Sequence, residues 1–145
     1  MFIKQLSIFI ENKVGRLQAI MDTLSENDIN IRALSIAETT EFGILRIITP
    51  DVEKAKKVLR EVDVISKITD VIAVYIDDRA GGLAKMLKAI TDAKINVEYM
   101  YAFLGRQEGK ALMVLKADDE LKAEKALLSG GMELASPDED ALAGK

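Results

Sequence analysis

An internal repeat constrains this chain more than any other feature. Gly15 and Gly81 lie 66 residues apart, and that shift aligns Ile10-Glu11-Asn12-Lys13-Val14-Gly15-Arg16-Leu17 with Ile76-Asp77-Asp78-Arg79-Ala80-Gly81-Gly82-Leu83. The same shift sets Ile29-Asn30-Ile31 on Ile95-Asn96-Val97. Strand, glycine turn, helix and an asparagine-marked turn recur in that order. Whatever one half folds into, the other half should fold into as well.

The periodicities name the elements. Leu17, Ile20, Met21 and Leu24 fall at i, i+3, i+4 and i+7, the apolar stripe of a helix, and Leu83, Met86, Leu87 and Ile90 repeat it. Leu6, Ile8 and Ile10 alternate before the first glycine, and the run Val71–Ile76 precedes the second. Strands are expected again at Ile31–Glu38 and Val97–Leu104. Polar loops (Thr39-Thr40-Glu41-Phe42 and Gly105-Arg106-Gln107-Glu108) then lead into Ile44–Thr49 and Ala111–Lys116, which reads as a hairpin in each half. The second hairpin carries an insertion of about two residues, where the register of the repeat slips.

A second helix follows in each half. Pro50-Asp51 opens the first, with Val52, Ala55, Val58 and Leu59 inward. Asp118-Asp119 opens the other, with Leu121, Leu127 and Leu128 as a poorer stripe. Val62–Ile68 and the short Met132–Ala135 close the two halves as strands. Each half is therefore βαββαβ. Right-handed crossovers put both helices on one face of a four-stranded antiparallel sheet. The expected class is α+β, with two ferredoxin-like units at residues 1–69 and 70–136 and a frayed acidic tail at 137–145. Only Thr69-Asp70 stands between the halves, so no flexible linker separates them.

Composition narrows the chemistry. The chain has no cysteine and no histidine. Disulfides, thiolate nucleophiles, the usual zinc ligands and the commonest general base are all missing. Carboxylates, lysines and tyrosines remain, but they form no catalytic constellation, so no catalytic residue, metal or cofactor is assigned. The acids Asp77-Asp78 and Asp118-Asp119-Glu120 lack calcium-loop spacing, and Gly81-Gly82 is no dinucleotide fingerprint. A net charge of −4 argues against nucleic acid. No apolar run approaches the ~18–20 residues of a membrane span. The N-terminus lacks a secretory pattern, so a cytoplasmic location is expected.

The turn Asn12–Leu17 leads into a helix whose N-terminal N–H groups and dipole favour an anion. Gly15 permits close approach of a ligand to the backbone. The plainer reading is that Gly15 and Gly81 only allow a tight turn, with Asn12 and Asp78 as caps. Asn30 and Asn96 equally suit a structural αL role. Arg16 faces Gly82 across the repeat, so only the first copy offers a guanidinium there. Tyr99, Tyr101 and Phe103 alternate on one strand face, with Met100, Ala102 and Leu104 on the other. A strand apolar on both sides predicts a sheet covered on both sides, hence a homodimer. Base stacking on the aromatics is disfavoured by the absence of a basic cluster.

The tandem βαββαβ units, each with Asn/Asp-x-x-Gly-x-Leu at its first turn and Ile-Asn-Ile/Val before its second strand, resemble ACT domains over roughly Phe2 to Ala135. Many members have proline before the glycine; Val14 and Ala80 stand there in this chain, a position where hydrophobic residues also occur. The resemblance implies a regulatory module, not an enzyme, that binds an amino acid or similar metabolite where two ACT units meet. Carried over by position, the ligand residues are Asn12, Lys13, Val14, Gly15, Arg16 and Leu17 with Asn30 and Ile31 in the first copy. In the second they are Asp78, Arg79, Ala80, Gly81, Gly82 and Leu83 with Asn96, Val97 and Tyr99. In the family the asparagine position often lends its amide to the ligand. Asp78 in place of Asn12 would make the two sites differ in selectivity. Val14, Leu17, Ile31 and Tyr99 would give an apolar lining suited to branched-chain or aromatic amino acids. The alternative is a protein-binding regulatory subunit of an amino-acid metabolic enzyme. Small subunits of acetolactate synthase resemble both descriptions.

Overall fold

The computed structural model describes residues 1–38, 41–105, 108–139 and 142. Thr39-Thr40 of the first hairpin loop, Arg106-Gln107 of the second, and Asp140, Ala141 and residues 143–145 of the tail lie outside the described residues. The elements run β1 (Ile3–Glu11), α1 (Arg16–Glu26), β2 (Ala33–Glu38), β3 (Phe42–Ile48), α2 (Val52–Glu61), β4 (Ser66–Asp77), α3 (Gly82–Asp92), β5 (Val97–Ala102), β6 (Lys110–Ala117), α4 (Glu120–Ser129) and β7 (Glu133–Leu134). No described helix is long and apolar enough to cross a membrane.

The chain forms two compact units. The first centres on Lys4–Thr69; the second comprises Asp70–Glu139 together with Met1–Ile3. Each is α+β. In the first unit the strand order is β2-β3-β1-β4, and in the second it is β5-β6-β4-β7. β1 and β2 each pair antiparallel with β3. β4 pairs antiparallel with β6 and β7, and β5 with β6. The first three residues sit with the second unit because Phe2 packs on its core and the Met1 ammonium pairs with Glu124.

Alternation along the strands aims one apolar row at the helices. Leu6, Ile8, Ile10, Leu45 and Ile47 meet Ile20 and Leu24 of α1 and Ala55, Val58 and Leu59 of α2. Ile72, Val74, Ile76 and Leu115 meet Met86 and Ile90 of α3 and Ala123 and Leu127 of α4. Leu17 and Leu83, the first residues of the helical stripes, remain exposed at its edge. In α4 the stripe differs from expectation. Leu121 and Leu128 are exposed, and small Ala123 takes the inward place that Ala55 takes in α2.

The expected strand Val62–Ile68 begins only at Ser66 and then runs unbroken through Thr69-Asp70 to Asp77. Its first residues are consumed by the end of α2. Val62 is the C-cap, Asp63 adopts φ 62°, and the Val64 N–H reaches back to the Leu59 carbonyl at 2.9 Å. All four helices among the described residues end in this Schellman arrangement. The left-handed residues are Asp28, Asp63, Lys94 and Gly131, followed by Ile29, Val64, Ile95 and Met132, whose N–H groups bond Leu24, Leu59, Ile90 and Leu127. The left-handed position expected at Asn30 and Asn96 thus falls two residues earlier. Lys94 has no local polar compensation of the kind that eases Asp into this conformation. Lys94→Gly is therefore expected to stabilise the chain by about 1 kcal/mol, with Asp28→Gly gaining less. Urea denaturation of both variants measures it.

The stretch Ser136–Glu139, at and just beyond the expected end of the second unit, is tied down. The Tyr75 hydroxyl donates to Glu139 Oε2 at 2.5 Å, and the Ser136 N–H to Glu139 Oε1 at 3.0 Å. Burial, with Glu139 beside it, raises the Tyr75 pKa far above the usual phenol range.

Candidate functional site

The first turn of each unit is built on one backbone plan. Asn12 N–H donates to the Glu41 carbonyl and Asp78 N–H to the Gly109 carbonyl. Lys13 N–H reaches the Glu11 carbonyl and Arg79 N–H the Asp77 carbonyl, each at 2.9 Å. Gly15 and Gly81 then cap α1 and α3 with φ 88° and 90°. Those angles need glycine. Neither helix has a side-chain cap at its N-terminus, so Asn12 and Asp78 do not fill the capping role. Val14, Ala80, Asn30 and Asn96 are exposed, and Asn96 exchanges backbone-level bonds with Asp118: its N–H to Oδ1 and its carbonyl from the Asp118 N–H, both 3.1 Å.

Beside the first turn lies a cavity of about 490 Å³. Its walls come from the end of β1 (Phe9, Ile10, Glu11), one side of α1 (Arg16, Ala19, Ile20, Thr23), the start of β3 (Phe42) and the α2–β4 connection (Val62, Asp63, Val64, Ile65). Every lining residue belongs to the first unit. The walls are mostly apolar, while Glu11, Arg16 and Asp63 supply charge and Thr23 a hydroxyl. This size and lining suit a small-molecule site, which typically spans about 300–1,000 Å³. Glu11 Oε2 holds Lys13 Nζ at 2.9 Å, and Glu11 Oε1 stands 3.7 Å from Arg16. The Lys13 hydrogen bond and charge, with Arg16 behind them, keep the Glu11 carboxyl below its usual range, so it is anionic at neutral pH. The Arg16 contact is too long for a hydrogen bond, leaving the guanidinium fork suited to a second carboxylate.

A smaller cavity of about 140 Å³ occupies the matching place in the second unit. Asp77 takes the Glu11 role, paired with Arg79 at 3.3 Å and with Lys110 at 2.9 Å. The Lys110 bond is the main cause of its lowered pKa. The second cation therefore arrives from β6, where the sequence offers no guanidinium at Gly82. Among the described residues no cluster of three or more acidic, histidine or cysteine side chains is placed to hold a metal.

A family model described as the ACT domain pair matches residues 1–142. This chain belongs to that family. No curated protein matches it. Among solved structures, the ACT pair is similar to protein BT0572 from Bacteroides thetaiotaomicron, at 35% identity and TM-score 0.90, covering 100% of this chain and 98% of that one. It also resembles the regulatory subunit of aspartate kinase from Thermus thermophilus, at 15% identity and TM-score 0.63, covering 88% and 91%. The regulatory subunit of aspartate kinase from Thermus flavus gives 16% identity and TM-score 0.58, covering 88% and 92%. The latter two are likenesses of fold.

Of the residues carried over from the ACT resemblance, Arg16 lines the first cavity and Gly82 the second. The remainder of the two turns and Asn30, Ile31, Asn96, Val97 and Tyr99 stand outside both. The ACT units add residues that the motif did not indicate: Phe9, Glu11, Thr23, Phe42 and Val62–Ile65, and in the second unit Tyr75, Asp77, Lys85, Lys110 and Glu133. A sequence signal existed for some of them. Phe9 is apolar where the alternation of β1 calls for a polar residue. Tyr101 is buried within the single chain, so its apolar character does not by itself require a second protomer.

Proposed function

We propose that this ACT pair is a cytoplasmic regulatory sensor, without catalysis of its own, that binds an amino acid or similar metabolite. One observation carries the reading: an apolar cavity with an anionic carboxylate and a loosely held guanidinium at its wall, in a chain of the ACT family. A zwitterion matches those two groups, its ammonium toward Glu11 and its carboxylate toward Arg16. The turn residues Asn12–Leu17 and Asn30-Ile31 remain proposed contributors, as do their counterparts Asp78–Leu83, Asn96-Val97 and Tyr99. Homodimer formation is part of the proposal, since members of this family place ligands where ACT units meet.

A thermal-shift panel of the twenty amino acids at a few millimolar tests it. A ligand at about a hundred times its Kd stabilises by about 2.7 kcal/mol. For a chain of this size that raises the Tm by on the order of 5–15 °C. One hit or a small related group is the expected result; a flat panel contradicts ligand sensing. The second reading, a protein-binding subunit for an enzyme of amino-acid metabolism, draws on the fully exposed Val14 beside exposed Leu17. The aspartate kinase likeness fits that reading too. A flat panel together with a co-purifying enzyme would favour it.

A further inference from the structure

We infer that the first unit alone takes ligand, one molecule per chain, and that the ligand is an amino acid with a large apolar side chain. This rests on the sensor reading above and sharpens it.

The two cavities are the same place in the repeat, so their differences are a natural experiment. Phe9, Ile10 and Glu11 correspond to Tyr75, Ile76 and Asp77. Ala19 corresponds to Lys85. Beyond the hairpin insertion the strand registers set Phe42, opposite Glu11, against Lys110, opposite Asp77. Ile65, bonded through its carbonyl to Phe9, corresponds to Glu133, opposite Tyr75. Three small or apolar wall residues of the first cavity are thus long and charged in the second, and the volume falls from about 490 to about 140 Å³.

The polar groups differ in the same sense. Both carboxylates hold a lysine at 2.9 Å, but Lys110 on Asp77 itself lines the second cavity, whereas Lys13 on Glu11 stands outside the lining of the first. The phenol of Tyr75 is committed to Glu139, and that ring is 8% exposed against 48% for Phe9. The second cavity is filled by its own chain, with Lys85, Lys110 and Glu133 in its wall. The first keeps a carboxylate and a guanidinium beside apolar walls of Phe9, Ile20, Phe42 and Val64. An amino acid with a charged or short side chain leaves those walls wet or leaves a buried charge unpaired.

Ala19 is an exposed position on α1 and tolerates lysine as a helix residue. Calorimetric titration of the full chain with leucine, phenylalanine, serine and aspartate tests the inference. Expected are one site per chain, leucine or phenylalanine binding at least tenfold tighter than serine or aspartate, and a loss of at least tenfold in Ala19→Lys with an unchanged melting curve without ligand. Lys85→Ala should leave affinity and stoichiometry as they are. Two sites per chain, tighter binding of the polar pair, or unchanged affinity in Ala19→Lys would overturn the inference while leaving the sensor reading intact. Should Ala19→Lys melt differently, Phe42→Lys serves as the second probe, with the same tenfold criterion. If no amino acid in the full panel binds the wild-type chain, the sensor reading and this inference fall together.

Discussion

Gly82→Ala is expected to be among the most damaging single substitutions in this chain, at about 3 kcal/mol. Gly82 is the first residue of α3 and is buried. A Cβ there would overlap the Asp77 carbonyl oxygen and lie 2.9 Å from its carbonyl carbon. Both atoms are backbone, held by the Arg79 N–H bond to that same carbonyl, so no side chain can swing aside. The strand end or the helix must shift. The equivalent position in the first unit carries Arg16, whose side chain is exposed. Arg16→Ala should therefore change stability by no more than about 0.5 kcal/mol, though it removes a cavity cation. Urea unfolding of the two variants side by side checks the asymmetry; equal, small losses would mean that the α3 turn relaxes freely.

Ile8→Ala is expected to cost about 2–5 kcal/mol. Ile8 is fully buried, opposite Leu45 in the β1–β3 register, at the centre of the face that α1 and α2 cover. Truncation removes apolar area and leaves a void walled by both helices, which cannot both collapse into it. Ile65→Ala, equally conservative but 73% exposed, should stay within about 0.5 kcal/mol. Denaturation midpoints at unchanged slope measure both. A loss under about 1 kcal/mol for Ile8→Ala would contradict the placement of the first unit's core.

The fold was legible in the sequence where physics repeats at short range. The stripes of α1 and α3, the alternation of β1, and the acid caps Asp51 and Asp119, which accept from Lys54 and Lys122 N–H groups, need only neighbours three or four residues away. Other features were hidden for identifiable reasons. The unbroken β4 was hidden because the repeat boundary falls at Thr69-Asp70, where an aspartate suits a turn as readily as extended backbone. The left-handed helix ends were masked because Asp28, Asp63 and Lys94 occupy positions where glycine would have announced them. The cavity was the least legible part. Its walls come from strand ends and a helix exit that are distant in sequence, while the glycine motif marks only the turn beside it. The contrast between copies was nonetheless present in the residues: Ala19 against Lys85, Phe42 against Lys110, Ile65 against Glu133.

On this reading the first unit's cavity is where an amino acid with a large apolar side chain binds. Amide chemical-shift mapping of the ¹⁵N-labelled chain during titration with millimolar leucine or phenylalanine tests it most directly. Saturable shifts are expected to centre on Glu11, Arg16, Thr23, Phe42 and Val64, with Asp77, Lys85 and Lys110 unmoved. Shifts centred on the second unit's residues, or no shifts at all, would contradict it.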